Sequence, residues 1–342
     1  MTKPDRTRFA VAVAGALLAA PLLVVPLACG SNDAKDPPRA DTAAPPSTPA
    51  PVVSSAAATA TATAAAPVDV VVGIPYPADK IGKVVNPKNV ARYSGPTGTL
   101  RGTVRIKGDP PPDVAVALPK GPCRGEAAAT HGKLFRVGQD GALADALVAV
   151  TGYEGYVPPK DQAVKLTIRG CSFARRTVAL AYGQRIEVAN LEKIESYMPY
   201  LDGAPIKAIL VAIPGGDSVK LYPQEPGHYL IRDQLPNEHL TADVYALAYA
   251  THDVTGLDGK YEITGIPVGP VSVNALLPAT SKAKGERIEI KEGDNTLDLT
   301  LTYDAKTDKP KAGTTGAPRI GDIQKEPAPA TSTTPKPSGP KG

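Results

Sequence analysis

The stretch that decides the fold is Val254-Thr-Gly-Leu-Asp-Gly-Lys-Tyr-Glu-Ile-Thr-Gly-Ile-Pro-Val-Gly269. It reads as a turn followed by an alternating strand. Asp258-Gly259 tolerates the backbone angles of a tight turn, and Lys260 to Thr264 then alternates polar and apolar residues. Joining two extended runs, Asp258-Gly259 predicts a hairpin. The same period-two pattern recurs at Leu100–Lys107, Ala146–Thr151, Val164–Arg169, Val178–Ala181, Arg185–Ala189 and Ile209–Ile213. It continues at Ser218–Leu221, Tyr229–Arg232, Asp243–Tyr249, Val271–Ala275, Arg287–Ile290 and Thr296–Thr302. Gly- and Asp-rich turns such as Gly108-Asp109-Pro110, Pro214-Gly215-Gly216 and Gly293-Asp294 separate these runs. Short strands at this spacing predict an all-β sandwich, or two merged ones. Sustained helical periodicity is lacking; single helical turns are expected near Glu126–Thr130 and Ile194–Leu201.

Outside this region the composition changes. Pro 37 and Gly 32 make up about a fifth of the 342 residues, and every Tyr lies between Tyr76 and Tyr303. Residues 29–67 are rich in Ala, Pro, Thr and Ser with few charges after Asp41, and Ser54–Ala66 has nothing larger than Thr. Residues 304–342 hold seven Pro, seven Lys or Arg and four Asp or Glu. Neither stretch has side chains to build a core, so both are expected to be disordered tails around a head spanning 68–303. The formal charge of +4 is spread along the chain, which argues against a nucleic-acid partner.

Residues 1–28 begin with Lys3, Arg6 and Arg8 and continue into the apolar run Phe9–Leu27. A positive start, an apolar run and small residues describe an export signal. Leu27-Ala28-Cys29 resembles the lipobox of bacterial lipoproteins, in which the Cys is acylated. An ordinary signal peptide cleaved near Ala28 and an uncleaved anchor helix are the alternatives. Lipidation at Cys29 implies a lipid bilayer as partner, and Gly30 after the Cys implies the outer membrane by the same resemblance. With Cys29 set aside, Cys123 and Cys171 remain as a pair in an exported domain. A disulfide is expected, with free thiols or a metal ligand as the alternatives.

In feature order the head is similar to bacterial exported proteins that combine a carboxypeptidase regulatory-like unit with a plastocyanin-like, or cupredoxin, unit (methylamine-utilisation-like proteins). Leu100–Pro111 is similar to their first strand and turn, and Cys123 with Gly170-Cys171-Ser-Phe173 to their two cysteines. Gly183–Asn190 resembles the strand leading to the first copper histidine, and Val254–Gly269 the regulatory-like signature. The resemblance implies a cupredoxin-like sandwich over about 140–253, merged with transthyretin-like, regulatory-like strands at about 99–110 and 254–303.

The resemblance also implies positions for copper. Type 1 copper needs two His, a Cys thiolate and usually an axial Met. The corresponding positions hold Ser196, Gln234, Asn237 and Leu240, with Tyr197 and His239 adjacent. None is a suitable ligand, so neither a metal nor another cofactor is expected. His228, His239 and His252 could converge on a metal with Asp233 or Glu238, or could be exposed loop-tip residues. No motif of a serine hydrolase, zinc protease or nucleotide-binding loop is present, and no enzyme activity is expected. The expected role is a binding or structural surface module of the cell envelope, its partner an envelope protein or a glycan. A glycan is implied by similarity of the regulatory-like fold to starch-binding domains. A divergent copper protein is the alternative. Sugars stack on aromatic faces, and Tyr153, Tyr156, Tyr197 and Tyr200 are the candidate exposed contacts, while Tyr245 and Tyr249 share one face of a strand.

Overall fold

A computed structural model describes residues 70–308 and 310. The expected leader, Cys29, the linker up to residue 67 and nearly all of the tail lie outside these residues. In chain order the elements begin with α1 (Ala78–Val85), β1 (Thr97–Gly108), α2 (Arg124–His131), β2 (Leu147–Thr151), β3 (Ala163–Arg169) and β4 (Ser172–Phe173). Then come β5 (Thr177–Ala181), β6 (Arg185–Asn190), β7 (Pro199–Asp202), β8 (Val219–Leu221), β9 (Gly227–Asp233) and β10 (Thr241–Leu247). The last are β11 (His252–Val254), β12 (Lys260–Pro267), β13 (Gly269–Leu277), β14 (Lys282–Ile290), β15 (Gly293–Thr296) and β16 (Leu299–Tyr303).

The strands form four four-stranded sheets that stack as two sandwiches. In the first sandwich, β1 pairs antiparallel with β12 and parallel with β15 and β16. The facing sheet runs β11-β2-β13-β14. Their apolar faces meet in a core that includes Leu100, Val104, Val148, Val150, Ile263, Ile266, Val273 and Leu299. The second sandwich stacks β5-β10-β9-β7 on β4-β3-β6-β8 around Ile168, Leu180, Ile186, Val188, Ile231, Leu240 and Val244. The all-β double sandwich follows from period-two patterning: each strand turns one row of apolar side chains into a core.

The division along the chain differs from the 140–253 span. β2 and β11 fall inside that span but belong to the first sandwich, where β11 pairs with β2 and β2 with β13. β2 also explains how the sandwiches join. Its Val148 and Val150 enter the first core, while Leu147 on the opposite face packs with Ala179, Tyr245 and Leu247 of the second sandwich. β5 and β10 split their residues likewise, so the junction is sheet face against sheet face, filled by alternate residues of central strands.

Asp258-Gly259 does not close a hairpin. β11 and β12 belong to different sheets. The turn, with Gly259 N–H donating to the Gly256 carbonyl at 2.9 Å, carries the chain across the sandwich. Gly259 has φ +69°, and a Cβ there would lie 2.6 Å from the Val104 carbonyl. That carbonyl's own residue donates its N–H to Gly259 O at 2.8 Å, tying the turn to β1.

Other departures have local causes. Glu126–Thr130 lies within the full helix α2, but Ile194–Leu201 is a bend leading into β7. Ile209–Ile213 makes a single bridge, Ala212 to Tyr197, in place of a paired strand. The amphipathic helix α1 was not expected; its Ile81 packs with Ile74 and Tyr182 on the second sandwich. The head also continues past residue 303. Lys282 Nζ reaches Asp308 Oδ1 at 2.7 Å, and Asp308 Oδ2 accepts the Asp304 N–H, so the tail begins later than 304.

Candidate functional site

The residues mapped to copper positions gather at one end of the second sandwich, where Leu240 packs in the core and Gln234 and Asn237 are hydrogen-bonded. Asn190 donates from Nδ2 to the carbonyls of Glu195 (2.7 Å) and Ala212 (2.8 Å) and accepts the Glu192 N–H at 3.0 Å. It is buried and its amide is fully used, clamping the loop that follows β6. Asp233 accepts N–H bonds from Met198 (2.8 Å) and Leu235 (3.2 Å) and a side-chain bond from Asn237 (2.7 Å). Gln234 is exposed and reaches the Ala208 carbonyl at 3.1 Å, and Ser196 is half-buried. Leu240 is 0% and Tyr197 3% exposed, both in the second core. Burial first, and then the charges of Glu192, Glu195 and Asp233, push the Tyr197 phenol pKa up. This end is a packed core under a hydrogen-bonded loop. With Leu, Asn and Gln at the ligand positions, it does not fit a type 1 copper ion.

The three histidines singled out in the sequence are not brought together. Among the described residues no group of three His, Cys, Asp or Glu is arranged to hold a metal. Nor are they loop-tip residues. His228 is buried on β9, its Nε2 2.6 Å from Asp243 Oδ1 and its ring against Tyr245. His239 is buried with Nε2 2.9 Å from the Cys171 carbonyl, which makes Nε2 the donor. His252 is half-buried at the junction; desolvation lowers its pKa to about 4 against the opposing bonds to the Tyr249 and Ala179 carbonyls.

Sequence reasoning passed over His131. It ends α2, buried, with its ring centroid 6.0 Å from that of His239. Desolvation first, and then the neighbouring Arg176, His239 and Arg136, hold its pKa at about 3. The disulfide Cys123–Cys171, with Cα atoms 5.6 Å apart, joins the start of α2 to the β3–β4 turn beside this pair. A helix only one turn recognisable in the sequence concealed the pairing.

Asp145 was also missed, and it joins the sandwiches. It takes a bidentate ion pair from Arg136 at 2.7 and 2.8 Å, and its Oδ1 accepts the Arg176 N–H at 2.9 Å. Its carbonyl accepts the Thr177 hydroxyl at 2.8 Å. An Asp followed by an apolar strand gives no sequence signal for this duty.

The tyrosine candidates are mostly packing residues. Tyr156 and Tyr197 are buried. Tyr153 packs on the first core with its hydroxyl 2.9 Å from Thr251 Oγ1. Tyr153 and Tyr200 are both half-buried, and the Tyr200 ring lies 4.9 Å below Lys207 Nζ. In a chain with no Trp and three Phe, tyrosine supplies much of the large core volume.

A concave surface does occur, next to the loop that carries Tyr153 and Tyr156. A groove of about 330 Å³ lies where the sandwiches meet. Tyr93, Pro158 and Pro159 supply apolar lining; Lys160, Asp161, Gln184, Glu262 and Thr264 supply polar lining. Lys160 Nζ donates to Thr264 Oγ1 at 3.1 Å, spanning the groove from the 157–161 loop to β12. Gln184 is held by two bonds, to Ala181 N–H and the Asp161 carbonyl, at 2.7 and 2.8 Å. Tyr93 is a missed member; it lies in a segment with no periodic pattern.

No family model and no curated protein matches the chain. Among solved structures, one similar chain is a copper-containing nitrite reductase from Thermus scotoductus SA-01, at 12% identity and TM-score 0.23, covering 29% of this chain and 25% of that one. Another belongs to the cryo-EM structure of a heme-copper terminal oxidase dimer, at 13% identity and TM-score 0.21, covering 25% of this chain and 65% of that one. The chain thus spans about a quarter and just under two thirds of the lengths of these two structures.

Proposed function

We propose that the chain is a non-catalytic binding module of the bacterial cell envelope, exported and held at the outer membrane through acylated Cys29. Its ligand is a glycan, taken up in the groove between the sandwiches. The groove itself carries this reading: a concave site at a domain junction with a few apolar surfaces and several convergent polar groups. Tyr93, Pro158 and Pro159 offer flat apolar surface for a sugar face, and Lys160, Asp161 and Glu262 offer partners for hydroxyls. The Ala, Pro and Thr linker places the head away from the bilayer.

Calorimetric titration with N-acetylglucosamine oligomers tests the ligand. Binding is expected, weakened about tenfold or more by Tyr93→Ala. Absence of binding to this and to a panel of envelope glycans removes the glycan reading. The anchor has its own test: Cys29→Ala is expected to move the chain from the membrane to the soluble fraction, and unchanged partition would refute acylation.

A further inference from the structure

The second sandwich leaves one edge open. Ile206 is 70%, Ile209 76% and Ile194 83% exposed, and Val211 and Ile213 are each about half exposed. Contiguous exposed apolar residues of this size mark an interaction surface. The pattern within the segment is that of a strand. Leu210 and Ala212 turn into the second core, while Ile209, Val211 and Ile213 face out.

The backbone is as informative as the side chains. Ala212 exchanges both its hydrogen bonds with Tyr197, at 2.8 and 3.2 Å. In extended backbone the flanking residues Val211 and Ile213 then point their N–H and C=O groups away from Tyr197, the Ile213 carbonyl accepting the Gly216 N–H at 3.2 Å. Among the described residues, no backbone hydrogen bond engages Ile209 or Val211. An unpaired edge with apolar flanks is a template for another strand.

We propose that this edge pairs with the same edge of a second copy, antiparallel, about a two-fold axis at Val211. The segment Ile209-Leu-Val-Ala-Ile213 is self-complementary about that residue. Val211 faces its own symmetry mate and Ile209 faces Ile213, so each cross-strand pair on the outer face is β-branched and apolar. Pro205 and Pro214 bound the segment. In this register no charge meets its like; Lys207 falls opposite Gly215.

Other occupants fit less well. Residues 31–69 contain no Leu, Ile or Phe, and 309–342 contain only Ile320 and Ile323. The flanking chain therefore has little to cover the patch. Lys207, the cation in the segment, already faces Asp202 at 3.6 Å and the Tyr200 ring. Glu192, Glu195 and Asp217 nearby would repel an anionic lipid surface.

Sedimentation of the exported chain carrying Cys29→Ser, which removes the third thiol, provides the test. A concentration-dependent dimer is expected, and Val211→Lys, placing two ammonium groups at the axis, is expected to give a monomer. Leu257→Lys, at an exposed apolar site elsewhere, is expected to leave the dimer intact. Val211→Cys reads the register: a hydrogen-bonded antiparallel pair sets Cα atoms about 5.5 Å apart, within disulfide reach. Oxidation is expected to give a covalent dimer with Val211→Cys and none with Leu210→Cys, which points into the core. A monomeric parent chain overturns the proposal, as does a dimer indifferent to Val211→Lys. So does a monomer that binds phosphatidylethanolamine–phosphatidylglycerol vesicles through Val211, or a Val211→Cys chain that stays uncrosslinked.

Discussion

The two sandwiches differ in strand length and in what their edges expose. In the first, β1 runs twelve residues, β13 and β14 pair along nine residues each, and the exposed polar faces carry ion pairs such as Arg101 with Glu262. In the second, strands are shorter and the chain between β7 and β8 forms a long loop with one edge uncovered. Both bury polar groups, Thr251 and Thr255 in the first and His228, His239 and Asn190 in the second. At the end of the second sandwich that carries residues 196, 234, 237 and 240, Leu240 fills the core and Asp233 holds the adjoining loops by accepting from Met198, Leu235 and Asn237.

This contrast can be broken in order of effect. The disulfide encloses a span of 48 residues between the two halves. Its loss through Cys123→Ser with Cys171→Ser is expected to cost about 4 kcal/mol, read as a shift in the denaturant midpoint. Next comes Leu240→Ala, which empties a fully buried side chain in the second core. About 3 kcal/mol should be lost, with no gain of copper binding by metal analysis. A blue copper band after copper addition to either protein would contradict the packed-core reading.

Acid sharpens the comparison further. His131 and His252 have pKa values lowered to about 3 and about 4. Each binds a proton more readily unfolded than folded, so each supports the fold fully above pH 6.5. That support falls as pH drops through the interval down to the folded pKa. At pH 5 the loss is on the order of 1–2 kcal/mol for each. Denaturant curves at pH 7.5 and 5.0 check this, and His131→Phe should flatten part of the dependence. The smallest effect is expected of Tyr200→Ala, under about 1 kcal/mol because its ring is only partly covered.

The difference between the sandwiches also decided what could be read from sequence. Alternation in Leu100–Lys107 and Lys260–Thr264 located β1 and β12, because each has one face buried and one wet. β5, buried on both faces, was still found as an apolar run. The Cys pair was found by counting. What stayed hidden was tertiary. Asp145 stands in no motif, His131 sits in a helix too short to show its period, and the duty of Asp233 depends on N–H groups from two loops. Tyr156 looked like a contact because it sits in a loop beside Gly155 and Pro158, and Tyr197 because it lies in the segment where the resemblance places the first copper histidine; the folded chain spends both on packing. The Asp258-Gly259 turn was located correctly, but period-two pattern cannot tell whether a turn joins neighbours in one sheet or crosses between two.

The most direct test of the account is an NMR titration of the isotope-labelled protein with N-acetylglucosamine oligomers. The account predicts that amide shifts move at Tyr93, Lys160, Gln184 and Thr264, while residues 190–198 and 234–240 stay still. Shifts confined to 190–198 and 234–240, or none at all, would contradict it.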